Sequence, residues 1–154
     1  MIMRALFVSI LIVCSVLILG QTVPFVGTYD VIRLEKGKPV DNKSLPPGQV
    51  MILELIKDGA FQMRDFLSGF EGSWKVSDKR LILTFKSGPA GKLRKQDVMT
   101  VQPSPDRSRL VIVSPKSYAG QLEFHWNPKA IETWNRRLSE TLKKTEQGSK
   151  KPGG

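Results

Sequence analysis

Lys57 to Phe85 reads Lys-Asp-Gly-Ala-Phe-Gln-Met-Arg-Asp-Phe-Leu-Ser-Gly-Phe-Glu-Gly-Ser-Trp-Lys-Val-Ser-Asp-Lys-Arg-Leu-Ile-Leu-Thr-Phe, and this stretch decides the fold. It predicts three strands joined by two tight turns, with a third turn back to the strand before. Asp58-Gly59 supplies the positive φ angles expected of a two-residue type I′ hairpin turn. Phe70, Gly72, Trp74 and Val76 alternate with Glu71, Ser73, Lys75 and Ser77. A period of two places one face in a core and the other in water. Phe61 and Met63 point one way in the strand before, Gln62 and Arg64 the other.

Working outward, the same patterning recurs. Val26 to Leu34 predicts a first strand, and Val50 to Ile56 a second. Between them, Lys36 to Gly48 carries three prolines and reads as a long polar loop. The second strand is nearly continuous in apolar residues, so both of its faces need cover. Downstream of Leu81 to Phe85, the segments Val98 to Val101, Leu110 to Val113 and Leu122 to Trp126 predict three more strands. In the last, Leu122, Phe124 and Trp126 face in, and Glu123 and His125 face out. The period then changes. Asn127 suits a helix N-cap and Pro128 the first helical position. Ile131, Trp134, Leu138 and Leu142 form one apolar stripe on an amphipathic helix running to about Thr145. Docking of that stripe on the outside of the sheet, over the second strand, is expected. Its rival is attachment of this basic helix to an anionic membrane.

Eight short strands followed by one helix predict a mainly β protein. The expected architecture is an eight-stranded antiparallel up-and-down barrel with a C-terminal amphipathic α-helix, because closure removes the sheet's exposed edges. This order resembles a lipocalin-like (calycin) barrel. Gly27-Thr28-Tyr29 is similar to the Gly-x-Trp signature of that family's first strand, with tyrosine for tryptophan. Asp58-Gly59-Ala60-Phe61 followed by Gly72-Ser73-Trp74 resembles small exported bacterial members. Family members place an arginine near the end of the last strand, where this chain has Trp126-Asn127-Pro128. The resemblance implies a barrel that binds a small ligand.

The N-terminus predicts export. Met1 to Arg4 is a short basic region, Ala5 to Leu19 is apolar, and Gly20 to Thr22 is small and polar. That order is a secretory signal in outline, and the apolar run is shorter than the roughly 20 residues of a membrane span. The expected division is a signal peptide at 1–22, the barrel and helix at 23–145, and a disordered tail at 146–154. The product would be secreted or held in the periplasm or cell envelope; an uncleaved N-terminal anchor is the alternative. Cys14, the one cysteine, lies in the apolar run, so the mature domain has neither a disulfide nor a thiol nucleophile.

Among 154 residues, 24 Lys and Arg face 14 Asp and Glu, for a formal charge of +10. Such a chain is drawn weakly to anionic surfaces. The basic residues are dispersed, which argues against a specific nucleic-acid interface. The basic hairpin Lys86, Lys92, Arg94 and Lys95 has no acid before Asp97 and reads as a solvated loop tip, with contact to an anionic partner as the alternative. No catalytic constellation emerges. His125 is the single histidine and reads as a surface residue, there is no Gly-x-Ser-x-Gly elbow, and no ligand set predicts a metal or cofactor. Glu54 and Asp65 interrupt apolar contexts and become candidates if they enter the barrel. An enzyme is therefore not expected. The candidate pocket is the inward set Tyr29, Met51, Phe61, Met63, Phe70, Trp74, Phe85 and Phe124. In one reading it lines a site for a small apolar or amphipathic ligand. In the other it fills the lumen of an exported structural or interaction module. Oligomeric state is not legible.

Overall fold

The computed structural model of the protein describes residues 25–88, 97–105 and 108–149. The predicted signal at 1–22 lies outside these residues, as do Lys92, Arg94, Lys95 and positions 150–154 of the tail. The described residues form nine antiparallel strands and one α-helix. In chain order the strands are β1 (Gly27–Glu35), β2 (Lys38–Pro39), β3 (Met51–Leu55), β4 (Ala60–Arg64), β5 (Gly69–Ser77), β6 (Arg80–Ser87), β7 (Val98–Pro103), β8 (Arg109–Ser114) and β9 (Leu122–Trp126). The helix, α1, spans Ala130–Ser149.

Strands β3 to β9 pair in sequence order, and β1 closes the ring. Its first half pairs with β3 through Gly27–Val31, and Tyr29–Arg33 pairs with β9. The result is the expected eight-stranded closed barrel. The extra strand, β2, is a short hairpin on the free end of β1. It occupies the start of the segment read as loop, because Lys36 and Gly37 both take positive φ and allow a two-residue turn.

Turn chemistry differs from expectation at two hairpins. At Asp58-Gly59 only the glycine has positive φ. The Asp58 carboxylate instead accepts the Ala60 N–H at 2.9 Å, and the loop is one residue longer than a type I′ turn. Besides Lys36-Gly37, two successive positive φ angles occur between β5 and β6, at Asp78 and Lys79 (48° and 63°).

The inward side chains pack as one cluster containing Tyr29, Val31, Leu53, Leu55, Phe61, Met63, Phe70, Leu81, Leu83, Phe85, Met99, Val101, Leu110, Ile112 and Phe124. Phe85 sits edge-on to Phe61 and Phe70, with centroids 5.0 and 5.9 Å apart, a favourable quadrupolar arrangement. A Cβ at Gly72 would strike the Thr84 carbonyl and the Phe61 ring. Only glycine fits there, and the neighbouring bulge at Glu71/Gly72 bends β5 around the core.

Alternation fails at strand ends. Val76, expected inside, is 41% exposed. The β4–β5 ladder stops at Ser73, so the end of β5 extends past the closed wall with β6 alone beside it. Trp126, also expected inside, is 43% exposed at one end of the barrel. The helix docks outside the barrel against β1, β3 and the 3₁₀ turn Pro47–Gln49. It runs four residues beyond Thr145, into the segment assigned to the tail.

Candidate functional site

A cleft among the described residues lies outside the barrel, between its wall and α1. It follows from the strand period. Tyr29 and Val31 point into the lumen, so Asp30 and Ile32 point out; Leu53 points in, so Ile52 points out. On β9, His125 is outward for the same reason. Ile52 and Val50 are nonetheless buried, because α1 lies over them with Ala130 at the contact. This is the cover that the apolar second strand required. The expected stripe provides it in part: Ile131, Trp134 and Leu138 are partly buried, joined by Ala130, Thr133, Arg137 and Thr141, whereas Leu142 is 56% exposed.

Three contacts fix the helix. Asn127 is the hinge. Its Oδ1 accepts the Lys129 N–H at 3.0 Å, its Nδ2 donates to Asp30 Oδ2 at 2.7 Å, and its carbonyl accepts the Thr28 hydroxyl at 2.5 Å. The expected cap residue therefore also ties the helix start to β1. Trp134 is the second contact. Phe66 meets it edge-on at 5.0 Å, and the Arg64 guanidinium lies 5.4 Å from its ring centroid. Arg137 is the third: it donates to the carbonyls of Asn42 at 2.9 Å and Leu45 at 3.5 Å, clasping the loop after β2 to the helix.

Between wall, helix and loop remains a cleft of about 590 Å³. Ile32, Val40, Val50, Ile52 and Ala130 give it apolar walls, together with the ring of Trp134. Lys43, Arg136 and Arg137 bring positive charge to it, and Asp30 and Asp41 bring negative charge. Both carboxylates have local work. Asp30 accepts from Asn127, and Asp41 accepts the Lys43 N–H at 2.9 Å. Two cleft residues carry buried polar atoms with no partner among the described residues, Asn42 Oδ1 and Trp134 Nε1. Each such atom is costly to leave unpaired.

The sequence-predicted pocket residues lie elsewhere. Tyr29, Phe61, Met63, Phe70, Phe85 and Phe124 belong to the lumen cluster, and Met51 and Trp74 pack against it. Trp74 Nε1 donates to the Ile56 carbonyl at 2.9 Å. Phe124, Leu53, Leu81 and Leu83 have no accessible surface, which a void wide enough for water would have given them. Burial pushes the Tyr29 hydroxyl up to about 12, and it donates to the Phe25 carbonyl at 3.2 Å. Glu54 is on the outer wall, 3.8 Å from Arg64, and Asp65 caps its own turn by accepting the Leu67 and Ser68 N–H groups. Neither enters the barrel. His125 Nε2 lies 2.9 Å from Glu123 Oε2, and Arg109 approaches the same carboxylate at 3.6 Å. Among the described residues no cluster of three or more His, Cys, Asp or Glu could hold a metal ion.

Sequence reading missed the cleft because its walls come from four separate segments. The available signal was Ile32, an apolar residue on the face opposite Tyr29 and Val31. Comparison with protein-family models, with curated proteins and with solved structures gives no match to this chain.

Proposed function

We propose that this chain is an exported lipocalin-like binding domain without catalytic activity, and that its small amphipathic ligand sits in the outer cleft under α1. One observation carries the reading: an apolar-walled cleft of about 590 Å³ with charged groups at its edges. That volume falls within the roughly 300–1,000 Å³ of ordinary ligand sites, which combine apolar walls with a few polar groups. The lumen cluster is the core that holds the wall rigid. Export is supported by the order of basic, apolar and small polar segments at 1–22.

Calorimetric titration with a ten-carbon alcohol and the matching carboxylate tests the reading. At least one should bind at a single site. Ile32→Trp, which fills the cleft from the wall, should weaken binding about tenfold or more while the melting temperature holds. Undiminished binding to that variant would remove the ligand from the cleft. A second reading, an interaction module without a ligand, is favoured by the dense packing around Phe124, Leu53 and Leu83. It predicts no binding of either compound.

A further inference from the structure

We infer that the cleft selects a single-chain amphiphile with an oxyanion head, a carboxylate or a phosphate monoester, and that Arg137 is the residue that reads the head. The inference rests on the proposed binding reading and adds its chemical class. Three cations line the cleft: Arg137, half-buried, and Lys43 and Arg136, exposed. None forms an ion pair among the described residues, where the ion pairs run Arg33–Glu35, Arg64–Glu54 and Arg109–Glu123, with His125 also on Glu123. The two cleft acids are engaged by Asn127 Nδ2 and by the Lys43 N–H. The lining thus counts three cations against two carboxylates, an excess of one positive charge.

Arg137 is held in place by neutral acceptors alone, the carbonyls of Asn42 and Leu45. A guanidinium has five N–H donors in a planar fork, and an oxyanion satisfies two at once. Hydrogen bonds to an ionised acceptor are roughly twice as strong as those to a neutral one. An anion entering the cleft therefore gains what the carbonyls cannot supply. Trp134 Nε1, a buried donor, and Asn42 Oδ1, a buried acceptor, are both unpaired in the same cleft and are open to a polar head group. Ile32 and Val40, both partly exposed, supply the apolar wall for the chain attached to that head, with Val50 and Ile52 buried beneath them.

Decanoate, decyl phosphate and decanol differ in the head alone, and phosphatidylglycerol vesicles present an anionic surface instead. At low salt, the purified protein should bind decanoate or decyl phosphate about ten- to a hundredfold more tightly than decanol. The preference should shrink in 0.5 M salt and fall towards one in Arg137→Gln. Because that change also frees the loop, Lys43→Gln with Arg136→Gln provides a second variant that leaves the clasp intact. It should lower decanoate affinity severalfold and leave decanol unchanged. Equal affinity for anionic and neutral heads would overturn the inference and leave the cleft reading standing. Binding of none of the three would end both. Binding to vesicles without binding to monomers would replace the cleft by a membrane surface and overturn the inference.

Discussion

Asn127 donates from Nδ2 to Oδ2 of Asp30 across 2.7 Å, and this bond joins the start of the C-terminal helix to the middle of the first strand. The same residue accepts the Lys129 N–H and receives the Thr28 hydroxyl on its carbonyl. Helix direction and barrel closure thus meet in one side chain. The cleft lies where the helix folds back from β9 onto β1 and β3.

Replacing that side chain separates cap from fold. Asn127→Ala should destabilise the protein by about 2–4 kcal/mol, the sum of about 1 kcal/mol for a lost helix cap and about 1.5–3 kcal/mol for a lost bond to a charged group. Urea melts of the variant should show the loss with an unchanged slope. Asp30→Ala should reproduce only part of it, since the turn to Lys129 survives.

Helix docking has a graded test. Trp134→Ala removes the contacts with Phe66 and Arg64 and should cost about 2–3 kcal/mol, below the roughly 3–5 kcal/mol of a fully buried tryptophan. Leu142→Ala should remain within about 0.5 kcal/mol, because that side chain is beyond the wall. Truncation after Asn127 should lower the melting temperature sharply. Equal effects of the two point substitutions would place the docking face elsewhere on the helix.

Gly27 has φ 139°, and a Cβ built there would enter the Trp126 ring. Gly27→Ala should therefore destabilise by about 1–3 kcal/mol from backbone strain alone, with steric displacement of the indole added. Combining it with Trp126→Ala should recover the steric part and not the backbone part. A double-mutant cycle measured by urea unfolding separates the two.

Tyr29 gives a pH dependence of known sign. Burial raises its hydroxyl from 10.0 to about 12, so the folded protein keeps the proton that the unfolded chain has already released. Between these values the unfolded state binds fewer protons, and stability falls as pH rises. Up to about 2–3 kcal/mol should be lost from pH 10 to 12, at 1.36 kcal/mol per pKa unit. Tyr29→Phe should flatten that part of the profile in urea melts at pH 9, 10, 11 and 12.

The barrel was legible because its signal is local. Alternation in Phe70–Ser77, the apolar set Leu81-Leu83-Phe85 and the change of period after Trp126 each report on a single segment. Tertiary closure then decided the ends. Val76 has the inward parity and is exposed because its neighbour strand has ended. The hairpin at Lys36-Gly37 was hidden by a lysine in a left-handed conformation, which sequence patterns assign to glycine or asparagine. The cleft was the least legible feature. Ile32, Asn42, Trp134 and Arg137 come together only when the helix folds back, and nothing in their spacing announces it. The docking of α1 over Ile52 was predictable in outline, because a strand apolar on both faces must be covered.

The most direct measurement is a decanoate titration followed by methyl NMR. Ile32, Val40, Val50 and Ile52 line the cleft, and Leu53, Leu81 and Leu83 line the lumen. Saturable shifts concentrated on the first group, with the second group unmoved, are the result predicted here. Shifts concentrated on Leu53, Leu81 and Leu83 would place the ligand inside the barrel and contradict the account.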